Sequence, residues 1–270
     1  MRNCHHLSFI GIAFMTLLTP SARAGDTLAT PPESSIPANE QGKAIRWGKV
    51  LLTETKQRLP KNVGNGLNCS NCHLQAGTVA YASPWVGIWG VFPEYRSRSG
   101  KLISLQERIN DCFERSMNGK ALDVSSDEMN SILAYMRWLS TGVPTGTSIA
   151  GRGFGPVNQK LIPDSVSGKR IYQEKCVICH TATGAGVKSA NGYAFPPLWG
   201  SESFNDGAGM ARTYTAAAFI KHNMPLGQEG TLSDQDAIDV AEYMTHQNRP
   251  IFTDKTKDWP KGDKPKDARN

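Results

Sequence analysis

Apolar residues recur at helical spacing along this chain, and they do so in two matching sets. In the first half, Gly48-Lys49 leads into Val50, Leu51 and Leu52, and Ser125-Ser126-Asp127-Glu128 opens a segment carrying Ile132, Leu133, Tyr135 and Met136. In the second half, Gly168-Lys169-Arg170 leads into Ile171 and Tyr172, and Ser233-Asp234-Gln235-Asp236 opens a segment carrying Ile238, Val240, Tyr243 and Met244. Small polar side chains ahead of an apolar stripe of period 3.6 mark capped amphipathic helices. No apolar run alternates with polar residues over a strand's length, so few strands are expected. The pattern predicts an all-α protein made of a repeated unit.

Polar and glycine-rich stretches divide the chain. The segment from Thr141-Gly142-Val143-Pro144 onward, rich in Gly and Pro, separates a first domain, residues 25–145, from a second, residues 165–252, with residues 146–164 as linker. Residues 253–270, rich in Lys, Asp and Pro without apolar periodicity, read as an extended or disordered tail. At the other end, Arg2, the apolar run Leu7–Leu18 and Ala22-Arg23-Ala24 read as a secretory signal over residues 1–24, cleaved before Gly25. That run is too short to span a bilayer, and no later one approaches the necessary length. The expectation is export to the periplasm without a membrane span.

Charge narrows the partners only a little. The formal net charge of +6 drops by two when Arg2 and Arg23 leave with the signal. With 20% charged residues and no Lys/Arg block, nucleic-acid binding is not expected. A monomer is expected because no helical stripe looks spare.

The chemistry lies in Cys69-Ser70-Asn71-Cys72-His73 and Cys176-Val177-Ile178-Cys179-His180, one per repeat. Two thiols at i and i+3 reach the two vinyl groups of one porphyrin and the next His binds its iron, so each motif predicts a covalent haem c. Tyr135 follows His73 by 62 residues and Tyr243 follows His180 by 63, so each motif holds the same place in its repeat. Each half then reads as helix, haem motif, loops and closing helix, the plan of a class I cytochrome c domain. Loops rich in Gly, Pro and Trp, Trp85 to Pro93 and Pro196 to Gly200, are expected to pack around the haems.

His73 and His180 each fill one axial position. For the second haem the opposite ligand comes from Met210, Met224, Met244, Lys221 or His222, and Met224, before Pro225 in a loop ahead of the last helix, suits it best. The first haem has two contenders. Met117 follows His73 by 44 residues, as Met224 follows His180. Cys112 is the cysteine left over once Cys4 departs with the signal and four cysteines hold haem. An unpaired cysteine in an exported protein is a buried inert thiol, an intermolecular partner or a reactive group. The residues alone leave these open.

The segment Arg108-Ile109-Asn110-Asp111-Cys112-Phe113-Glu114-Arg115-Ser116-Met117-Asn118-Gly119, set between two haem motifs, resembles the thiosulfate dehydrogenases, the dihaem cytochromes c that form tetrathionate. The resemblance spans about residues 40 to 250 and includes Asn223-Met224-Pro225-Leu226-Gly227. It implies His73 and Cys112 as ligands of a catalytic first haem, and His180 with Met224 on an electron-transfer second haem. Asn223 stands where a switching lysine would be, so no lysine ligand is available beside Met224. The implied activity joins two thiosulfate ions into tetrathionate with release of two electrons through Cys112. The electrons would pass to a periplasmic small cytochrome c, a high-potential iron protein or a dihaem partner subunit. Arg108 and Ser116, one turn either side of Cys112, match substrate-contacting positions; Arg98 in a basic loop and Gln75, two residues past His73, are further candidates. Arg115 and Lys101 read as surface charges. A non-catalytic carrier with a His73/Met117 haem is the competing function, and a dihaem peroxidase would need an open iron position.

Overall fold

The computed structural model describes residues 22–189 and 192–269, so the expected signal falls almost wholly outside the described residues. Nine α-helical segments follow in order among them: α1 (Glu40–Thr53), α2 (Thr55–Arg58), α3 (Leu74–Gly77), α4 (Leu105–Arg115), α5 (Asp127–Leu139), α6 (Ser165–Lys175), α7 (Val177–His180), α8 (Thr213–Asn223) and α9 (Asp234–Thr245). Among the described residues the strands form two short antiparallel pairs, β1 (Glu94–Arg96) with β2 (Lys101–Ile103), and β3 (Val187–Ser189) with β4 (Gly192–Phe195). No described helix is long and apolar enough to cross a membrane.

The two halves repeat one packing motif. In the first, α1 crosses α5 and buries Ile45, Leu51 and Leu52 against Met129, Ile132, Tyr135 and Met136. In the second, α6 crosses α9 and buries Ile171 and Tyr172 against Ile238, Val240 and Met244, with α8 adding Ala216, Ala217 and Ile220. The glycine of each Gly-Lys pair sits at the crossing. A Cβ on Gly48 would lie 2.0 Å from the Ser131 carbonyl oxygen, and one on Gly168 would lie 1.9 Å from that of Asp239. The capping patterns hold the partner helices: Ser126 Oγ accepts from the Met129 amide at 3.1 Å, and Ser233 Oγ from Asp236 at 3.0 Å.

Two segments are more structured than their composition suggests. In the linker, the Gly151 and Gly153 carbonyls accept from the Tyr81 and Ser83 amides, Arg152 pairs with Glu94 at 3.1 Å, and Asp164 caps α6. The tail is not a loose end. It folds through a short 3₁₀ turn, Thr253–Lys257, and then lays Asp258 and Trp259 against the first domain, where Asp258 pairs with Arg115 at 2.8 Å. Further on, Asp267 accepts from the Tyr214 amide at 2.8 Å and Lys266 sits 4.2 Å over the Tyr214 ring. Arg115, expected as a surface charge, has a side chain only 12% exposed because this strap covers it.

Candidate active site

Each haem motif is a turn that brings its histidine back beneath its first cysteine. The Cys69 carbonyl accepts from the His73 amide at 3.0 Å, and the Cys176 carbonyl accepts from that of His180 at 2.9 Å. Around the first turn, Asn68 and Asn71 form a reciprocal cap and the Cys69 amide donates to Thr55 Oγ1 at 3.1 Å. His73 Nδ1 then donates to the Ser83 carbonyl at 2.6 Å, and His180 Nδ1 to the Pro196 carbonyl at 2.9 Å. A carbonyl on Nδ1 fixes the tautomer and leaves Nε2 with a lone pair for a metal. Burial pushes His73 down to about 4 and lowers His180 as well, so both imidazoles are neutral, as ligation requires. Trp85 stacks on His73 with centroids 4.8 Å apart.

Cys69 and His73 open into a cavity of about 960 Å³, whose apolar wall includes Leu52, Trp85, Ile88, Phe92 and Met136. These residues fit a covalent haem: thiols and imidazole at one side, aromatic and aliphatic packing around them. Arginines make up much of the remaining wall. Arg96, Arg98, Arg108, Arg115, Arg152 and Arg212 all line the cavity, and Asp111 is the carboxylate among its lining residues. The Nε atoms of Arg96, Arg115 and Arg212 are buried without a hydrogen-bond partner, donors suited to anionic oxygens such as haem propionates or a bound sulfonate.

Helix α4 decides which sulfur reaches this cavity. Ser104 and Glu107 start it with a capping box, Ser104 Oγ accepting from the Glu107 amide at 3.2 Å and the Ser104 amide donating to Glu107 Oε2 at 2.8 Å. Leu105, Ile109 and Phe113 form its buried stripe, and Met117, four residues on and 3% exposed, continues that stripe into the first core. The adjacent stripe of Arg108, Cys112 and Ser116 lines the cavity; Met117 does not. Arg108 Nη1 donates to Cys112 Sγ at 2.9 Å, and the sulfur beside it raises the guanidinium further.

Arg98 joins this wall, with Nη1 donating to the Gly207 carbonyl at 2.9 Å. Burial, followed by repulsion from Arg115 and Arg212, lowers Arg98 to about 10, so it remains a cation at neutral pH. Gln75 is not brought here. It lies exposed in a left-handed turn at φ 48°, accepts from Thr27 Oγ1 at 3.2 Å and lines a separate cavity of about 370 Å³ beside Tyr135 and Trp138. In the second half, Cys176 and Met224 pack against one core with Trp199 and Tyr243, while Met224 and Met210 also reach the junction cluster of Val79, Ala82 and Phe219. Motif spacing gave no hint of Arg115, Arg152, Arg212 or Trp259. A tryptophan inside a charged tail was the available signal for the last, since an indole seldom stands free in water.

A family model described as the SoxA/TsdA cytochrome c domain matches residues 60–145, and a cytochrome c model matches residues 165–248. The thiosulfate dehydrogenase of Psychrobacter arcticus is 53% identical over 252 residues, covering 93% of this chain and 77% of the relative. The chain belongs to the thiosulfate dehydrogenase family. A second member, from Allochromatium vinosum, is 48% identical over 236 residues, 86% of this chain and 87% of its own. Among solved structures, the thiosulfate dehydrogenase TsdBA from Marichromatium purpuratum in its as-isolated form superposes with a TM-score of 0.79 at 37% identity. That match covers 84% of this chain, which spans only 50% of the TsdBA chain. Membership fixes the fold as two tandem cytochrome c domains, with one covalent haem c in each.

Proposed function

We propose that this dihaem cytochrome oxidises thiosulfate in the periplasm, joining two ions into tetrathionate at Cys112. The observation that carries this reading is a cysteine sulfur set in an arginine-lined cavity that also holds His73, with Arg108 bonded to the sulfur at 2.9 Å. Cys69, Cys72, His73 and Cys112 hold the first haem, and Cys176, Cys179, His180 and Met224 the second. Cys112 lines the cavity and Met117 does not, which supports Cys112 over Met117 at the first iron.

The chemistry suits a thiolate. Cys112 sulfur and the sulfane sulfur of a first thiosulfate join with loss of two electrons, giving a cysteine S-thiosulfonate. A second thiosulfate attacks the sulfane sulfur of that adduct. The new sulfur–sulfur bond makes tetrathionate, the bond to cysteine breaks, and Cys112 leaves as the thiolate with which the cycle began. The two haems supply one-electron sinks for the electron pair. Two dianions at one site repel strongly, and Arg108, Arg98 and the Ser116 hydroxyl offset that repulsion by binding sulfonate oxygens. Covalent capture by Cys112 also removes the need for two dianions to meet unassisted.

Electrons leave from the second domain to a periplasmic acceptor, a small cytochrome c, a high-potential iron protein or a dihaem partner subunit, with the protein acting as a monomer. Exposure of Ile178 at 89%, inside the second haem motif, supports that exit because it puts the motif's edge at the surface. Replacing Cys112 by Ala tests the whole reading. With ferricyanide as acceptor, thiosulfate turnover is expected to fall at least about a hundredfold while both haems stay attached. Turnover at the wild-type rate would refute it.

A further inference from the structure

The C-terminal strap brings two side chains to the cavity that no motif marks. Trp259 and Pro265 line it, and Asp258 beside Trp259 has a side chain only 7% exposed. Arg115 grips that carboxylate with both terminal nitrogens, Nη1 to Oδ2 at 2.9 Å and Nη2 to Oδ1 at 2.8 Å. Arg98 lies close as well, its Nε 3.9 Å from Asp258 Oδ2 and its guanidinium 5.4 Å over the Trp259 ring. The Trp259 amide donates to the Arg98 carbonyl at 2.7 Å. Both arginines also donate to one acceptor, the Gly207 carbonyl, at 2.9 Å from Arg98 and 3.2 Å from Arg115.

Two guanidiniums that share a carbonyl repel each other, and burial strengthens that repulsion. Burial, and after it the neighbouring Arg115 and Arg212, lower Arg98, and Asp258 acts against that shift. A bidentate carboxylate also fixes the plane of Arg115, which a lone charge would not do. The strap therefore orients cations that the first domain supplies.

We propose that Asp258 is a positioning residue of the substrate site: it locks Arg115, and through the shared Gly207 carbonyl Arg98, so that both present N–H groups to a sulfur-oxyanion dianion, with Trp259 closing the wall beside them. The inference rests on the cavity being the thiosulfate site. It makes a prediction of unexpected sign. By charge alone, removing a carboxylate near a dianion site strengthens binding; by positioning, it weakens binding.

The test uses the full haem-loaded protein, with steady-state kinetics on thiosulfate and calorimetric titration with sulfate, a dianion that does not react. Asp258→Asn is expected to raise the KM for thiosulfate and the Kd for sulfate by about tenfold or more, with kcat within about threefold and haem absorption unchanged. Asp258→Glu, which keeps the charge, is expected to restore most of both constants. A KM and Kd equal to or below wild type in Asp258→Asn would overturn the proposal. If that variant does not accumulate, Arg115→Lys, which keeps the cation and loses the bidentate grip on Asp258, is expected to raise both constants severalfold, and unchanged values would overturn the proposal equally. A wild-type protein inactive on thiosulfate would sink the proposed function instead, and the sulfate titration would still decide the role of Asp258.

Discussion

At the scale of single residues, the proposed chemistry turns on the neighbours of one sulfur. Cys112 and Arg108 stand four apart on α4, so one helical turn brings the guanidinium onto the sulfur, with Nη1 2.9 Å from Sγ. In the proposed reaction a cation there offers donors to an arriving sulfonate. Arg108→Gln, which keeps a hydrogen-bonding amide and loses the charge, is expected to lower kcat/KM for thiosulfate by about ten- to a hundredfold, in line with the value of a charge-assisted hydrogen bond. Steady-state kinetics alongside the haem content per chain would separate this from a loading defect. Gln75 shows the limit of reasoning from sequence distance. It lies two residues from His73, yet it sits in a left-handed turn with Ala76 and lines a different cavity. Asn223 shows the reverse case. Sequence marks it only as a residue other than lysine, whereas in the fold it is fully buried and donates to the Tyr81 carbonyl at 3.0 Å, tying the residue before Met224 to the first domain.

At the scale of elements, helical phase carries most of the information. Leu105, Ile109, Phe113 and Met117 repeat every four residues and form one buried stripe, which leaves Arg108, Cys112 and Ser116 on the next stripe, lining the cavity. Leu105 and Ile109 reach the cavity as well, so the phase of the helix does not by itself choose between Cys112 and Met117; what separates the two is that Cys112 lines the cavity and Met117 does not. The repeated Gly-Lys pairs were equally legible as sequence, but their reason lies in packing. Gly48 and Gly168 let α1 and α6 approach a partner backbone so closely that any side chain would collide with a carbonyl. Substituting Ala at an exposed helical glycine adds about 1 kcal/mol of stability. Gly48→Ala and Gly168→Ala are expected to do the opposite, destabilising by about 1–3 kcal/mol through overpacking. Thermal denaturation of each variant would show a lowered Tm, by about 2–4 °C per kcal/mol for a protein of this size.

At the scale of the whole molecule, buried asparagines join the halves. Asn65 Nδ2 donates across to the Ser203 carbonyl at 3.0 Å, and Asn205 Nδ2 to the Glu114 carbonyl at 2.9 Å and Asn118 Oδ1 at 3.1 Å. Both asparagines are 1% exposed, so water cannot replace a lost partner. Asn205→Ala is therefore expected to cost about 2 kcal/mol and lower Tm by about 4–8 °C, read by thermal denaturation of the haem-loaded protein. These bonds also hold the C-terminal end of α4 against the second domain, beside the arginines that line the cavity. By itself the sequence determined the two haem motifs, the repeated helices and their caps, because each depends on residues within a turn or two of one another. Tertiary structure alone decided that six arginines converge on one cavity, that Gln75 stays out of it, and that a charged tail reaches it with Trp259 and Pro265 while Asp258 pairs with Arg115. Those contacts join residues up to 143 positions apart, and spacing along a chain holds no record of a distance set by how two domains dock.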